Sequence, residues 1–366
     1  MKYYRLDEID KYNAKYNVIV GGRSDGKTYA VLEKILQKYS ETAETGAIVR
    51  RWAEDFTGKR GQQMFSSLVQ NGLVTKFTGG RWNNIKYYAS KWYLCYFDAD
   101  KHEIVDTDAQ PFCYGFALTM QEHDKSTSYP TITTVLFDEF ITRNVYLPDE
   151  FVMFCNVLST IIRERDNVTI YMCGNTINKY CPYFDSMGLK HVSEMKRGTI
   201  DVYQYGESGL TVAVEYCNTA YGIFGGKKSK KSDVYFAFDN SRLSMITGGE
   251  WELDIYPHCP RKFRPCEIRF IFFVEFDHNI LQCEIVCGQS DCFVFVHPKT
   301  TEFKHKPRDL IYTTNFAVPN PYIRKTFLKP VDDADRKILA LWNAGKFFYS
   351  DNNTGDMMRN FTMIKF

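Results

Sequence analysis

Between Gly21 and Thr28 the chain reads Gly-Gly-Arg-Ser-Asp-Gly-Lys-Thr, a G-x-x-x-x-G-K-[ST] spacing suited to phosphate chemistry. Gly21, Gly22 and Gly26 let the backbone curl, so that N–H groups across Arg23, Ser24 and Asp25 turn onto phosphate oxygens. Lys27 can reach the β- and γ-phosphates, and the Thr28 hydroxyl can ligate Mg²⁺. Arg23 is an uncommon residue inside such a loop. It can meet phosphate itself, or hold a catalytic carboxylate in an inactive position through a charge-assisted contact. Further along, Thr133-Thr134-Val135-Leu136-Phe137-Asp138-Glu139 ends a β-prone run in two acids. Asp138 is suited to hold Mg²⁺, directly or through water. Glu139, next in the chain, is suited to orient and deprotonate an attacking water, which favours ATP hydrolysis over mere nucleotide binding.

Regular elements must hold these groups together. Val18-Ile19-Val20 is a β-branched run that makes a buried parallel strand before the glycine loop. Leu32, Ile35, Leu36 and Tyr39 after it fall on one helix face, and the start of that helix adds its positive end to the phosphate site. A second helix is expected from Asp149 to Ile162, with Phe151, Phe154, Leu158, Ile161 and Ile162 as its apolar stripe. The following strand, Val168 to Cys173, ends at Gly174-Asn175-Thr176. If it lies between the first two strands, Asn175 stands beside the γ-phosphate as a sensor; otherwise the sequence is an ordinary Gly-Asn turn. Arg163 and Arg165, at the end of the second helix, can complete the active site of a neighbouring subunit or simply complement the helix C-terminus.

Length and composition bound the rest. A chain of 366 residues suits two cores, and 44% hydrophobic with 25% charged residues is an ordinary globular balance. The net charge of +2 gives no global attraction to a polyanion, so a nucleic-acid surface has to be a local patch. Lys59-Arg60, in a glycine-flanked polar stretch after the strand Ala47 to Arg50, reads as a DNA-contacting or solvated loop. Lys227, Lys228, Lys230 and Lys231 form a second basic cluster, read either as a mobile loop near phosphate or as a solvated linker. Residues 85–97 and 112–118 read as strands inserted between the nucleotide motifs.

No run reaches membrane-spanning length, and the N-terminal residues lack the apolar core of a signal peptide. Eleven cysteines without a Cys-x-x-Cys pair point to free thiols in a reducing compartment rather than to a disulfide framework or zinc site. A hairpin is expected over 201–216. Three successive strands, Ile268 to Phe276, Ile280 to Cys287 and Cys292 to His297, open a mixed α/β domain with a later helix around Leu339 and Trp342. The expected division is an ATPase domain over 1–200, a hairpin, lid and basic linker over 201–258, and a smaller domain over 259–366.

The Gly21–Thr28 loop with its arginine, the Val135–Phe140 strand and Cys173-Gly174-Asn175-Thr176 resemble the viral genome-packaging ATPases of the large-terminase group. Asn178-Lys179-Tyr180-Cys181-Pro182-Tyr183-Phe184 adds a likeness to its phi29-like DNA-encapsidation members. These motifs cover roughly the first 200 residues. The resemblance implies an α/β P-loop NTPase fold of the ASCE type with a mostly parallel sheet, followed by a small α+β domain of degenerate RNase H-like type. It implies an ATP- and Mg²⁺-dependent motor that moves double-stranded DNA into a preformed capsid. The subunits would form a homo-oligomeric ring, a pentamer, at the portal vertex in the host cytoplasm, with a trans-acting arginine and in some relatives a structural packaging RNA; no membrane is involved. A terminase with an active nuclease would need clustered carboxylates, for which Glu275, Asp277 and Glu284 are available. A non-motor nucleotide-binding module that bridges proteins is the remaining alternative.

Overall fold

The computed structural model describes residues 4–23, 25–120, 127–142, 146–217, 254–277, 279–289, 291–304, 306–314 and 320–364. The chain divides into two compact units, Met1–Thr142 with Asp149–Glu252, and Arg143–Pro148 with Leu253–Phe366.

The first unit is built on one sheet of ten strands. In chain order they are β1 (Tyr16–Gly21), β2 (Thr45–Arg50), β3 (Asn84–Tyr88), β4 (Lys91–Asp98), β5 (Glu103–Thr107), β6 (Cys113–Ala117), β7 (Ile132–Asp138), β8 (Thr169–Asn175), β9 (Thr199–Tyr205) and β10 (Leu210–Tyr216). The order across the sheet is β3-β4-β6-β2-β7-β8-β1-β10-β9, with β5 paired to β4. The six inner strands from β6 to β10 run parallel, and the outer ones are antiparallel. Every residue of β7 is buried, as its near-continuous apolar sequence requires of a strand covered on both faces.

Among the described residues six helices belong to this unit: α1 (Lys27–Thr42), α2 (Gly58–Gln63), α3 (Ser66–Gln70), α4 (Leu73–Phe77), α5 (Glu150–Ile162) and α6 (Pro182–Ser186). Helix α1 covers the sheet with Val31, Leu32, Ile35 and Leu36, all at most 4% exposed. Each such burial stabilises by about 1.5–3 kcal/mol, which is what fixes the helix start against the strands. Around Trp92 the rings of Phe56, Phe65 and Tyr87 pack at 5.2–5.9 Å, and its indole N–H donates to Gly61 O at 2.8 Å. This aromatic cluster pins α2 and α3 onto β3 and β4.

The expected boundary at residue 200 is not where the chain divides. The 201–216 hairpin, assigned by sequence to a segment between domains, forms β9 and β10 at the edge of the main sheet. Strand β10 lies parallel to β1, with Val18 opposite Val214. Val212, Ala213 and Val214 are buried, and a strand this apolar needs cover on both faces that a solvent-facing lid does not supply. The lysine cluster at 227–231 lies outside the described residues.

The second unit carries a six-stranded sheet. Its strands are β11 (Ile268–Phe276), β12 (Asn279–Cys287), β13 (Cys292–Pro298), β14 (Ile311–Thr313), β15 (Ile323–Arg324) and β16 (Phe347–Tyr349), in the order β15-β14-β11-β12-β13-β16. The expected meander β11-β12-β13 is present, with β14 and β15 added in parallel beside β11 and β16 in parallel beside β13. The antiparallel meander is thus flanked by two parallel strands on one side and by one on the other. Helices α7 (Asp333–Asn343) and α8 (Asn352–Met363) are N-capped by Asp332 and Asp351, whose carboxylates accept from Asp335 N and Thr354 N at 3.0 and 2.9 Å. Buried Asp335 also accepts from Tyr312 Oη at 2.6 Å and pairs with Arg324, which ties α7 to β14 and β15.

Two sequence expectations change here. Cys287 and Cys292 face each other across the β12–β13 turn and form a disulfide, whereas the sequence led to free thiols. The short turn makes them direct cross-strand partners. The acids considered for a nuclease do not converge: Glu275 stands opposite Ile280, and Glu284 lies four residues further along β12, roughly 13 Å away at strand spacing. Glu284 instead accepts from Gln282 and pairs with His297 at 3.5 Å. Among the described residues no three acids, histidines or cysteines gather as a metal site, and no helix is long and apolar enough to cross a membrane.

Candidate active site

The carboxyl ends of β1, β2, β7 and β8 border a cleft of about 350 Å³ in the first unit. Ligands bind at such ends in α/β sheets, where helix N-termini point toward them. Strand β8 lies between β1 and β7, with Val18 opposite Met172 and Phe137 opposite Met172 from the other side. That insertion is the condition under which Asn175 was expected to act as a sensor. Asn175 lines the cleft and its side-chain oxygen accepts from Lys27 Nζ at 3.2 Å.

The loop after β1 turns through Gly26, at φ +93°, into the first residue of α1. An L side chain there would be strained, so glycine is required. At Gly21 a Cβ would collide with Cys217 Sγ, so the loop also depends on close backbone approach. Lys27, 5% exposed, donates to Gly22 O at 2.6 Å and folds its ammonium back over the loop. Asp25, Gly26, Lys27 and Thr28 line the cleft. Arg23 is exposed, and Ser24 lies outside the described residues.

Thr28 Oγ1 donates to Asp138 Oδ1 at 2.6 Å, which joins the two groups expected to hold Mg²⁺. Asp138 is 4% exposed, whereas Glu139 projects into the cleft from a backbone at φ +58°. A non-glycine residue in that region marks a turn held by its surroundings.

In the sequence Arg23 could either meet phosphate or make a contact that restrains Glu139. Among the described residues that contact is made by Arg50 at the end of β2: its guanidinium pairs with Asp138 and, at 3.3 Å, with Glu139. Burial opposes the Arg50 charge, but the two carboxylates outweigh it and raise its pKa. Register explains the difference. Strand β2 lies directly beside β7, with Val49 opposite Phe137, so the residue that ends β2 meets the acids that end β7. Arg50 thus engages both carboxylates at the end of β7, including Asp138, the residue expected to hold Mg²⁺. Arg50→Gln is expected to lower the Mg²⁺ concentration for half-maximal ATP turnover by about tenfold, the scale of one charge-assisted contact. An unchanged Mg²⁺ titration would show that the pair does not compete with the metal.

A second support was not visible in the sequence. Tyr4 N–H donates to Asp25 O at 3.0 Å, and its hydroxyl donates to Glu215 Oε2 at 2.6 Å. The residues before β1 therefore brace the phosphate loop. Burial pushes the Glu215 carboxyl up to about 7, aided by Glu8 and Asp10 and opposed by the Tyr4 hydrogen bond.

The structure does not bring Arg163 and Arg165 to this cleft. They follow α5 and precede β8, at the amino-terminal ends of the strands, whereas the cleft lies at the carboxyl ends. Arg165 donates to the carbonyls of Ile162, Pro130, Ile132, Tyr129 and Ile161 at 2.7–3.2 Å, which closes the α5 terminus and fits the helix-complementing reading. Arg163 is exposed and donates to Thr127 O at 2.8 Å. Lys59 and Arg60 are exposed but lie on helix α2 instead of a loop, because Trp92 and Ile85 anchor that turn through Gly61 and Gln62.

A parallel sheet with β8 between the phosphate-loop strand and the acidic strand, ending in this cleft, defines a P-loop NTPase fold of the ASCE type. The chain resembles the DNA encapsidation proteins of phi29-like phages: residues 101–205 match the family described as podovirus DNA encapsidation protein (Gp16). That segment contains β7 and β8 but not the phosphate loop, so the loop is identified by its own geometry. The chain is 25% identical over 269 residues to a DNA packaging protein of Bacillus phage B103, covering 66% of this chain and 75% of that protein. It is 24% identical over 189 residues to the DNA packaging protein of Bacillus phage phi29, spanning 50% of this chain and 49% of that one. In structure it is similar to the Phi-28 gp11 DNA packaging motor, with a TM-score of 0.55 and 16% identity over 99% of this chain and 97% of the other.

Proposed function

We propose that this chain is the ATPase subunit of a motor that drives double-stranded viral DNA into a preformed capsid. The observation that carries the reading is the joining of Thr28 to Asp138, with Glu139 next in the chain and Lys27 and Asn175 across the same cleft. These residues fit a magnesium nucleotide: a glycine turn with room for phosphate, a lysine directed into it, and a hydroxyl–carboxylate pair for the cation. Thr28 and Asp138 would hold Mg²⁺; Gly22, Gly26 and Lys27 would hold the phosphates. The bound metal supplies charge neutralisation at the phosphates. Glu139 then orients a water and accepts its proton, while Asn175 keeps the Lys27 ammonium directed across the loop.

Lys59 and Arg60 are the DNA contacts we favour. They share the α2–α3 segment with Met64 and Ser67, which line the nucleotide cleft, so a phosphate contact there adjoins the hydrolysis site. The lysines at 227–231 are a second DNA-contacting candidate. A homo-oligomeric ring, pentameric in this reading, would dock at the capsid portal in the host cytoplasm, with a structural packaging RNA as a further partner. Arg163, the more exposed arginine after α5, would act in the cleft of the adjacent subunit.

Steady-state ATP hydrolysis with Mg²⁺ is expected to rise when duplex DNA is added. In Lys59→Ala/Arg60→Ala that stimulation is expected to fall, and the slope of log affinity for DNA against log salt to shrink by about 1–2. A DNA-independent rate, with an unchanged slope in the double variant, would reject the motor reading and the assigned contacts together.

A further inference from the structure

Arg51 follows Arg50 directly but faces away from the cleft into a buried network. Its Nε donates to Glu150 Oε2 at 2.7 Å and its Nη2 to Glu150 Oε1 at 2.8 Å, a bidentate pair. Tyr183 Oη donates to the same Glu150 Oε1 at 2.7 Å. Arg51, Glu150 and Tyr183 are 7%, 3% and 0% exposed. Removing one partner from such a pair leaves an uncompensated buried charge, so the three groups act as a unit.

The outward side of the same guanidinium meets the main chain just beyond β7. Arg51 Nη2 donates to Phe140 O at 3.0 Å and Nη1 to Glu139 O at 3.4 Å. These carbonyls frame the peptide that follows Glu139, the residue at φ +58°. A left-handed non-glycine residue costs about 1–3 kcal/mol and persists only where its neighbours hold it. Glu150 stands at the first turn of α5, so one guanidinium grips the chain both where it leaves β7 and where α5 begins.

We infer that Arg51, locked by Glu150 and Tyr183, is a positioning residue that fixes the backbone turn presenting the Glu139 carboxyl to the nucleotide cleft. The inference rests on the reading of Glu139 as the base. Arg51 touches no reacting atom; it acts by restricting where that carboxyl can be. Such control affects the chemical step and leaves nucleotide binding, which uses the loop after β1, nearly unchanged. A misplacement of about 1 Å in a catalytic group can cost about a hundredfold in rate.

The test uses the full-length chain with three variants. Arg51→Met/Glu150→Leu/Tyr183→Phe replaces the network by apolar groups of similar volume, which avoids stranding a buried charge. Arg51→Lys keeps the charge opposite Glu150 but loses the fork that spans both carbonyls. Glu139→Gln is the control for the base. A fluorescent ATP analogue counts binding-competent sites, and kcat is expressed per competent site, so partial unfolding does not lower it. We expect kcat to fall about 10- to 100-fold in the first two variants, with KM and analogue affinity within about threefold of wild type. A wild-type kcat per site in Arg51→Lys, or in a folded triple variant, overturns the positioning role while an inactive Glu139→Gln keeps the base. A wild-type rate in Glu139→Gln overturns both. If the triple variant does not fold, Arg51→Lys decides.

Discussion

Glu139→Gln is expected to bind ATP as tightly as wild type and to lower steady-state turnover by about 10²–10⁴-fold, the range that one general base supplies. The substitution keeps the size and the reach of the side chain and removes its negative charge, and with it the ability to take a proton and the ion pair with Arg50. Binding should survive because Glu139 contributes nothing to the glycine loop: its side chain is 62% exposed and its contact is with Arg50. The backbone turn at φ +58° is held at its carbonyls by Arg51 and not through the Glu139 side chain, so glutamine should occupy the same position. Single-turnover hydrolysis with nucleotide binding measured in parallel checks this. Turnover at the wild-type rate would remove Glu139 from the mechanism and leave Asp138 alone at the end of β7.

Lys27→Ala acts at the other step. Nucleotide affinity is expected to fall by about 10²–10⁴-fold, the effect of losing two charge-assisted hydrogen bonds worth about 1.5–3 kcal/mol each. Lys27 is buried and spans Gly22 O and Asn175 Oδ1, so its ammonium is already held where phosphate oxygens would replace those acceptors. Alanine leaves the α1 helix intact because position 27 is its first residue and alanine favours helix. The thermal midpoint without nucleotide should therefore move little, while stabilisation by added ATP should vanish. A variant that still gains stability from ATP at wild-type concentrations would show that the loop is not the phosphate site. The two variants separate binding from chemistry: one retains the nucleotide without turnover, the other fails to retain it.

Much of this site could be read from local sequence. The glycine spacing before Lys27-Thr28, the β-branched run before it and the helical period after it specify strand, loop and helix through short-range backbone and burial rules. The same rules located β7 with Asp138 and Glu139, α5 within one residue at its start, and the three-strand meander of the second unit. Each of these signals lies within a dozen or so neighbouring residues, where periodicity and turn chemistry act.

Tertiary structure decided which of these pieces face one another. Arg50 could not be assigned to Glu139 by sequence, because the contact depends on β2 lying beside β7, a pairing between segments 88 residues apart in the ion pair with Asp138. The role of β10 was missed for the same reason: a hairpin pattern specifies its two strands, but whether it stands alone or docks on β1 depends on which apolar edge remains uncovered. Arg165 reads in the sequence either as an arginine for a neighbouring subunit's site or as a complement to the helix C-terminus, and its bonds to the carbonyls before and within β7 arise only once the end of α5 approaches the start of that strand. Tyr4 and Arg51 carry no motif, and their hydrogen bonds to Asp25, Glu139 and Phe140 arise from burial beside chain segments distant in sequence. Residue type and spacing thus specify the chemistry available along each segment. Strand order and long-range burial specify which acids, cations and carbonyls meet, because those contacts are created by the closing of the sheet and the packing of its helices.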